Sequence, residues 1–347
     1  MKRIIITILT VMLLVFTLSS CNVGEKQKTL NFLNYGANID NKSLKLFEEK
    51  YGIKVNQETF DDMEQMYTKV SSGGIKYDVV LVSDNLMQRM IKEKLLAKLD
   101  KDNIPNIKQM DSVYMNLEMD PGNVYSVPFM FGTVGIIYNT DYVKEKVDSW
   151  DILWDKKYKG EIFMFDTYRD TMGAALKRLG YSMNTTNPDE INAAKKSLIE
   201  QKPLVKIYEV DLGTETIASG ETYINMIWSG EGLTLEEEHP NLKYVVPKEG
   251  ANFWIDSLCI PSNSQNKKDA EKLINFLSGK DAQYRTAKQI GYVTPNKEAR
   301  AMQKESVRNN PNAYYDAEFL KKCEMYKDLD KNVKQLYDDA WNEIKSS

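Results

Sequence analysis

The sequence predicts an α/β protein folded as two lobes. Strand-like and helix-like segments alternate through the first 100 residues, and the same alternation restarts near residue 160. The roughly 320 residues beyond the N-terminal leader also exceed what one ordinary core organises.

The elements follow in order. TLNFLNY, residues 29–35, reads as a strand. KSLKLFEEKYG places Leu44, Phe47 and Tyr51 on one helical face, with Gly52 as its stop. GIKVNQETF is the next strand, DMEQMYTKVSSGG a helix closed by Gly73 and Gly74, and YDVVLVS a compact apolar strand. DNLMQRMIKEKLLAKLD, residues 84–100, is a helix with Asp84 as candidate N-cap. This β-α-β-α-β order implies a parallel sheet flanked by helices. SVPFMFGTVGIIYNT leads into the second round, where EIFMFD, YINMIWS and LKYVVP are strands. NPDEINAAKKSLIEQ is a helix with Asn187 as cap and Pro188 in its first turn. KKDAEKLINFLSGK is an amphipathic helix ending at Gly279. The tail NVKQLYDDAWNEIK spaces Val333, Leu336, Tyr337, Ala340 and Ile344 to face a core.

The N-terminus indicates where the chain works. Lys2 and Arg3 precede an uncharged apolar run over residues 4–18, and LSSC follows at 18–21. A basic start, an apolar middle and small residues before a cut are the parts of a secretory signal, and the run is short for a membrane span. Leu-Ser-Ser-Cys is similar to the bacterial lipobox, in which cleavage precedes a lipid-bearing cysteine. We therefore expect a signal peptide over 1–20, a lipid anchor on Cys21 and a polar tether over 21–28. The protein would sit outside the cytoplasm, periplasmic or at the cell surface.

Composition narrows the function. The chain carries 46 basic and 50 acidic residues; without Lys2 and Arg3 the balance is 44 against 50, a net charge of −6. That disfavours nucleic acid, whose phosphates need Lys and Arg, and suits a cationic ligand. The single histidine, His239, rules out multi-histidine metal sites and leaves little room for a Ser-His-Asp triad. There is no G-x-S-x-G, no G-x-x-x-x-G-K-[ST], no C-x-x-C and no H-E-x-x-H, and the glycines of FGTVG lack phosphate-loop spacing. No enzyme activity, cofactor or metal is expected. Cys259 and Cys323 read as free thiols.

One stretch stands out. NFWIDSLCIP, residues 252–261, is an apolar strand with Asp256 in its middle. A carboxylate stripped of water is costly unless a positive or hydrogen-bonding group replaces that water. In parallel sheets ligands sit beyond the carboxyl ends of strands. Tyr35, Ser83, Asp166, Asp170 and Trp228 all fall where strands run out. Asp256 beside Trp254, with Trp228, Tyr35, Tyr292 and Asp170, would form a cage for an alkyl-ammonium ion. Carboxylates would hold the charged ends, at about 1.5–3 kcal/mol per charge-assisted hydrogen bond. Aromatic faces would wall the methylenes and attract the cation, at about 0.5–2 kcal/mol. The same residues also read as packing tryptophans with Asp256 at a turn.

The combination VPKEG…FWIDSL.IP with IGY.TPN downstream, together with YSVPFMFGTVGIIYNTD, WDILWDKKYKGEIFMFD and MIWSGEG, resembles the spermidine/putrescine-binding proteins of polyamine ABC transporters. The likeness runs from about residue 30 to the C-terminus. It implies the two-lobed periplasmic-binding-protein fold (type II), each lobe a mixed sheet flanked by helices, with a ligand cleft between them. Residues 29–132 plus 254–297 would form one lobe and 133–253 plus 298–347 the other. The resemblance further implies a polyamine ligand, a membrane permease as partner, and a monomer. Trp254 and Asp256 match the family's Trp and Asp, Trp228 and Tyr292 its aromatic walls, and Ser83 a serine at the pocket edge. Asp170 stands for a usual Glu and Tyr35 for a usual Trp. Ala37 and Asn38 replace a usual acid and Tyr, which puts the preferred polyamine in doubt; Asp84 or Glu231 could restore the charge. A different small cation, or ligand sensing without transport, are the alternatives.

Overall fold

The computed structural model describes residues 27–36 and 38–347, apart from the side chains of Asp84 and Asn85. The leader and Cys21 lie outside the described residues. Nine strands form one curled sheet: β1 (Thr29–Tyr35), β2 (Lys54–Phe60), β3 (Val79–Val82), β4 (Ser126–Asn139), β5 (Ile162–Phe165), β6 (Val205–Glu209), β7 (Ile224–Trp228), β8 (Leu242–Val245) and β9 (Phe253–Cys259). Their order is β2-β1-β3-β9-β4-β7-β5-β6, with β8 also on β4.

The expected β-α-β-α-β unit is present. β1 runs parallel to both β2 and β3, and β9 then joins antiparallel. The second half repeats the plan, with β5 parallel to β6 and β7, and β4 and β8 antiparallel. β4 belongs to both halves. Residues Ser126 to Thr133 pair with β9, whereas Val134 to Tyr138 pair with β7. The sequence treats this stretch as a connection, and it is the longest strand. Pro128 sits at a register irregularity, where a strand tolerates a residue without an N–H.

Packing follows the period of two. Leu30 and Phe32 of β1 with Val79 and Leu81 of β3 fill a core beneath the helices Asn41–Tyr51 and Lys267–Leu277. Leu33, Val80 and Val82 face the other way, into a core that continues through Phe131 and Val134 to Phe163 and Ile227 of the second half. A third core lies between the helices Tyr168–Arg178, Pro188–Gln201 and Lys331–Ser346. The short helix Lys297–Met302 packs on Lys280–Ile290 of the first half.

Local signals held in several places. Gly52 and Gly73 close their helices at φ +66° and +67°, and Asn187 caps Pro188–Gln201 through the Asp189 amide. Three readings need correction. The helix after β3 runs Asp84–Lys92, with Ser83 rather than Asp84 at the cap position. Gly279 does not end Lys267–Leu277 in a left-handed turn; at φ −73° it starts the next helix. In the C-terminal helix Tyr337, Ala340 and Ile344 form one buried stripe, whereas Leu336, at the stripe's edge, is exposed. Cys259 and Cys323 are free thiols.

Candidate ligand-binding site

The change of partners along β4 builds the site. Gly132 pairs with Trp254 of β9, and two residues on Val134 pairs with Trp228 of β7. Both tryptophans are thereby held on either side of the point where the sheet passes between halves. The glycines of FGTVG and SGEG leave room for aromatic rings. A Cβ on Gly132 would stand 2.5 Å from Trp254 Cζ2 and 2.6 Å from Ser229 Oγ; one on Gly230 would stand 2.5 Å from the Tyr292 ring.

Tyr292 arrives by a turn. Gly291 ends the helix Lys280–Ile290 at φ +74°, and Phe131 N–H donates to Val293 O. The Tyr292 ring then meets Trp254 edge to face, centroids 4.9 Å apart at 80°. Tyr35 ends β1 and meets Phe60 edge to face at 5.4 Å. Trp228 leans on Phe165 at 4.4 Å. The Trp254 indole N–H is buried with no acceptor among the described residues.

Asp256 occupies the centre. Val82 pairs with Ser257, so one step on Ser83 meets Asp256, and the Ser83 hydroxyl donates to Asp256 Oδ1 at 2.5 Å. Only 5% of the Asp256 surface is exposed. No cation pairs with it among the described residues. Burial pushes its pKa up to about 6, against the lowering effect of the Ser83 bond. Burial and the charge of Asp256 also raise the Tyr35 hydroxyl. Burial, then the charges of Glu231 and Asp256, raise Tyr292. Tyr35, Ser83, Trp254, Asp256 and Tyr292 therefore share one environment, with Trp228 across β4.

Asp170 is held differently. Its carboxylate accepts from Thr167 Oγ1 at 2.7 Å and from the Tyr326 hydroxyl at 2.9 Å, and burial raises its pKa. Asp166, also at a strand end, pairs with Lys345 at 2.7 Å on the surface. Two further acids act by their charge on this environment, Glu231 on Tyr292 and Asp211 on Tyr35. Glu231, in the first turn of Ser229–Glu238, is pushed up to about 7 by burial and by Asp211. Asp211 follows β6, an amphipathic strand without a strong apolar signal. Its position at a strand end was the available clue. Among the described residues no group of His, Cys, Asp and Glu could hold a metal ion.

An arrangement of aromatic rings around a buried carboxylate without a cation among the described residues, at the join of the two halves of the sheet, can enclose a small amine. Residues 42–314 match the family described as bacterial extracellular solute-binding protein. The spermidine/putrescine-binding periplasmic protein of Escherichia coli is 36% identical over 325 residues, 93% of each chain. The crystal structure of the spermidine/putrescine ABC transporter substrate-binding protein of Streptococcus pneumoniae superposes with a TM-score of 0.86 at 34% identity, covering 92% of this chain and 99% of that one. A PotD-type lipoprotein of Treponema pallidum gives 0.81 at 27%, covering 91% and 99%. The fold is thus the two-lobed fold of binding proteins, with its cleft between the lobes. The chain belongs to the bacterial extracellular solute-binding proteins, on the spermidine/putrescine-binding branch.

Proposed function

We propose that this protein captures a polyamine outside the cytoplasm and delivers it to the membrane permease of an ABC importer. The observation that carries the reading is Asp256, nearly buried, bonded to Ser83 and facing Trp254 and Tyr292 with no cation beside it among the described residues. An ammonium nitrogen supplies the missing charge, and the rings of Tyr35, Trp228, Trp254 and Tyr292 wall its methylenes. Asp170, with Thr167 and Tyr326, offers a further acceptor.

The action is capture without chemistry. The lobes comprise 29–132 with 254–297 and 133–253 with 298–347, the helix Lys297–Met302 lying at their border. The chain crosses between them near 131–133 and 250–253 and returns near 295–300. A ligand touching both lobes favours the closed form by binding it better, and the closed form is what the permease receives. Cys21 carries the lipid that keeps the monomeric protein at the membrane, which is in keeping with the lipoprotein from Treponema pallidum.

Calorimetric titration with putrescine, cadaverine, spermidine and spermine tests the reading. Micromolar or tighter binding of one of them is expected. Silence of the folded protein across the panel would overturn it.

A further inference from the structure

Besides Asp256, two carboxylates that the capture mechanism above does not use act through their charges on the hydroxyls of the aromatic wall, half-buried Glu231 and exposed Asp211. Asp256 comes from β9, Glu231 from the first turn of the helix Ser229–Glu238, and Asp211 from the link between β6 and Gly213–Ala218. Burial, then the charges of Glu231 and Asp256, raise the Tyr292 hydroxyl; burial, then the charges of Asp256 and Asp211, raise that of Tyr35. The Tyr292 ring also packs against Gly230, the residue before Glu231. Glu231 makes no hydrogen bond and no ion pair among the described residues, although it is half-buried. A helix N-terminus favours a carboxylate's charge, yet here burial and Asp211 prevail and raise the pKa to about 7. No cation contributes to the environment of Glu231 or of Asp256 among the described residues. An arrangement this costly is tolerated where a ligand supplies the missing charge.

We infer that Glu231, backed by Asp211, is the second cation-binding group of the cleft: the ligand places one ammonium nitrogen on Asp256 and another on Glu231, its methylenes crossing the Tyr292–Trp254 wall. The inference rests on the reading of the cleft as an amine site. It assigns Glu231 the choice between amines with one charge and amines with two. It also gives closure a physical cause, because Asp256 sits on the first half of the sheet and Glu231 on the second. With the site empty, like charges face each other across the join. A dication neutralises both and ties the halves together.

The experiment uses putrescine and n-butylamine, which share a four-carbon chain and differ in one ammonium group. Each is titrated calorimetrically into the wild type, Glu231→Gln and Asp256→Asn. Glu231→Gln should weaken putrescine by tenfold or more and change n-butylamine by less than twofold, while Asp256→Asn weakens both. Glu231→Asp should recover part of the putrescine affinity. Near pH 7 wild-type binding should release protons, read from the dependence of the heat on buffer ionisation, and Glu231→Gln should release fewer. Equal losses on both amines, or no loss, in a Glu231→Gln protein with unchanged circular dichroism would overturn the inference and leave the amine site standing. Failure of the wild type to bind any amine would overturn the amine reading and this inference with it.

Discussion

Replacing Asp256 by Asn should move affinity and stability in opposite directions. Asn keeps the shape and can still accept from the Ser83 hydroxyl, but it carries no charge. Loss of a charge-assisted hydrogen bond of about 1.5–3 kcal/mol weakens polyamine binding by about 10- to 150-fold. In the empty protein the sign reverses. Burial lifts the Asp256 carboxyl from 3.8 to about 6, so the folded value lies above the unfolded one. Such a group stabilises the fold below its unfolded pKa, and that contribution is lost as pH rises through about 6. At about 1.4 kcal/mol per pKa unit, the ionised, empty site costs up to about 3 kcal/mol at pH 8. The amide of the Asp256→Asn variant does not titrate and escapes this cost. Urea unfolding of the ligand-free proteins should therefore show the variant more stable than wild type at pH 8 and equal to it near pH 4. Titration at pH 8 supplies the affinity. Binding retained within twofold, or a variant less stable at pH 8, would refute the reasoning.

Three further outcomes follow from the same geometry. Gly230→Ala puts a methyl 2.5 Å from the Tyr292 ring, which is backed by Trp254; calorimetry should show about a tenfold loss of polyamine affinity, about 1.4 kcal/mol. Polyamine affinity should fall between pH 8 and pH 5, because Asp256 titrates at about 6 and Glu231 at about 7 while alkylamines stay charged; a flat profile over that range would contradict both assignments. Thr133→Val breaks a buried relay at the join of the lobes. Tyr315 donates to Asn312 O at 2.6 Å, so Thr133 donates to Tyr315 at 2.8 Å and accepts from Tyr244 at 3.0 Å. Losing Thr133 removes its bonds to both hydroxyls while Tyr315 remains a partner for Tyr244, and urea unfolding should show a loss of about 0.5–1.5 kcal/mol per bond lost.

Much of this was legible in the sequence, for reasons that differ by residue. The strand Phe253–Cys259 announces itself by apolar bulk, and its lone acid is conspicuous because a carboxylate rarely enters such a run unpaired. Tyr35, Ser83 and Trp228 are visible as residues that end strands. β4 was hidden because its pairing partners are distant in sequence and because Pro128, Gly132 and Gly135 argue against a strand. The two glycines make sense only once Trp254 and Tyr244 are seen filling the space beside them. The sequence offers Glu231 only as a possible substitute for a lost charge and does not single out Asp211. Asp211 follows a weakly apolar strand, and Glu231 lies in a glycine-rich turn beside an acidic helix end. Only the fold sets Gly230 against the Tyr292 ring and so brings the start of the Glu231 helix turn to the aromatic wall.

Ser83 shows how the site competes with local structure. It occupies the N-cap of Asp84–Lys92, where a serine side chain ordinarily accepts from the helix amides and contributes about 0.5–2 kcal/mol. Here it makes no capping bond; its hydroxyl donates to Asp256. The helix begins without a side-chain cap so that the carboxylate keeps one partner when the cleft is empty. That partner lowers the Asp256 pKa without overcoming burial, which leaves the acid mostly charged near neutrality and still in need of a cation. A full set of donors would satisfy Asp256 and blunt its affinity for a ligand. No donor at all would protonate it outright, and a protonated acid attracts no ammonium. One hydroxyl, delivered by the register of β3 against β9, holds the site between those limits.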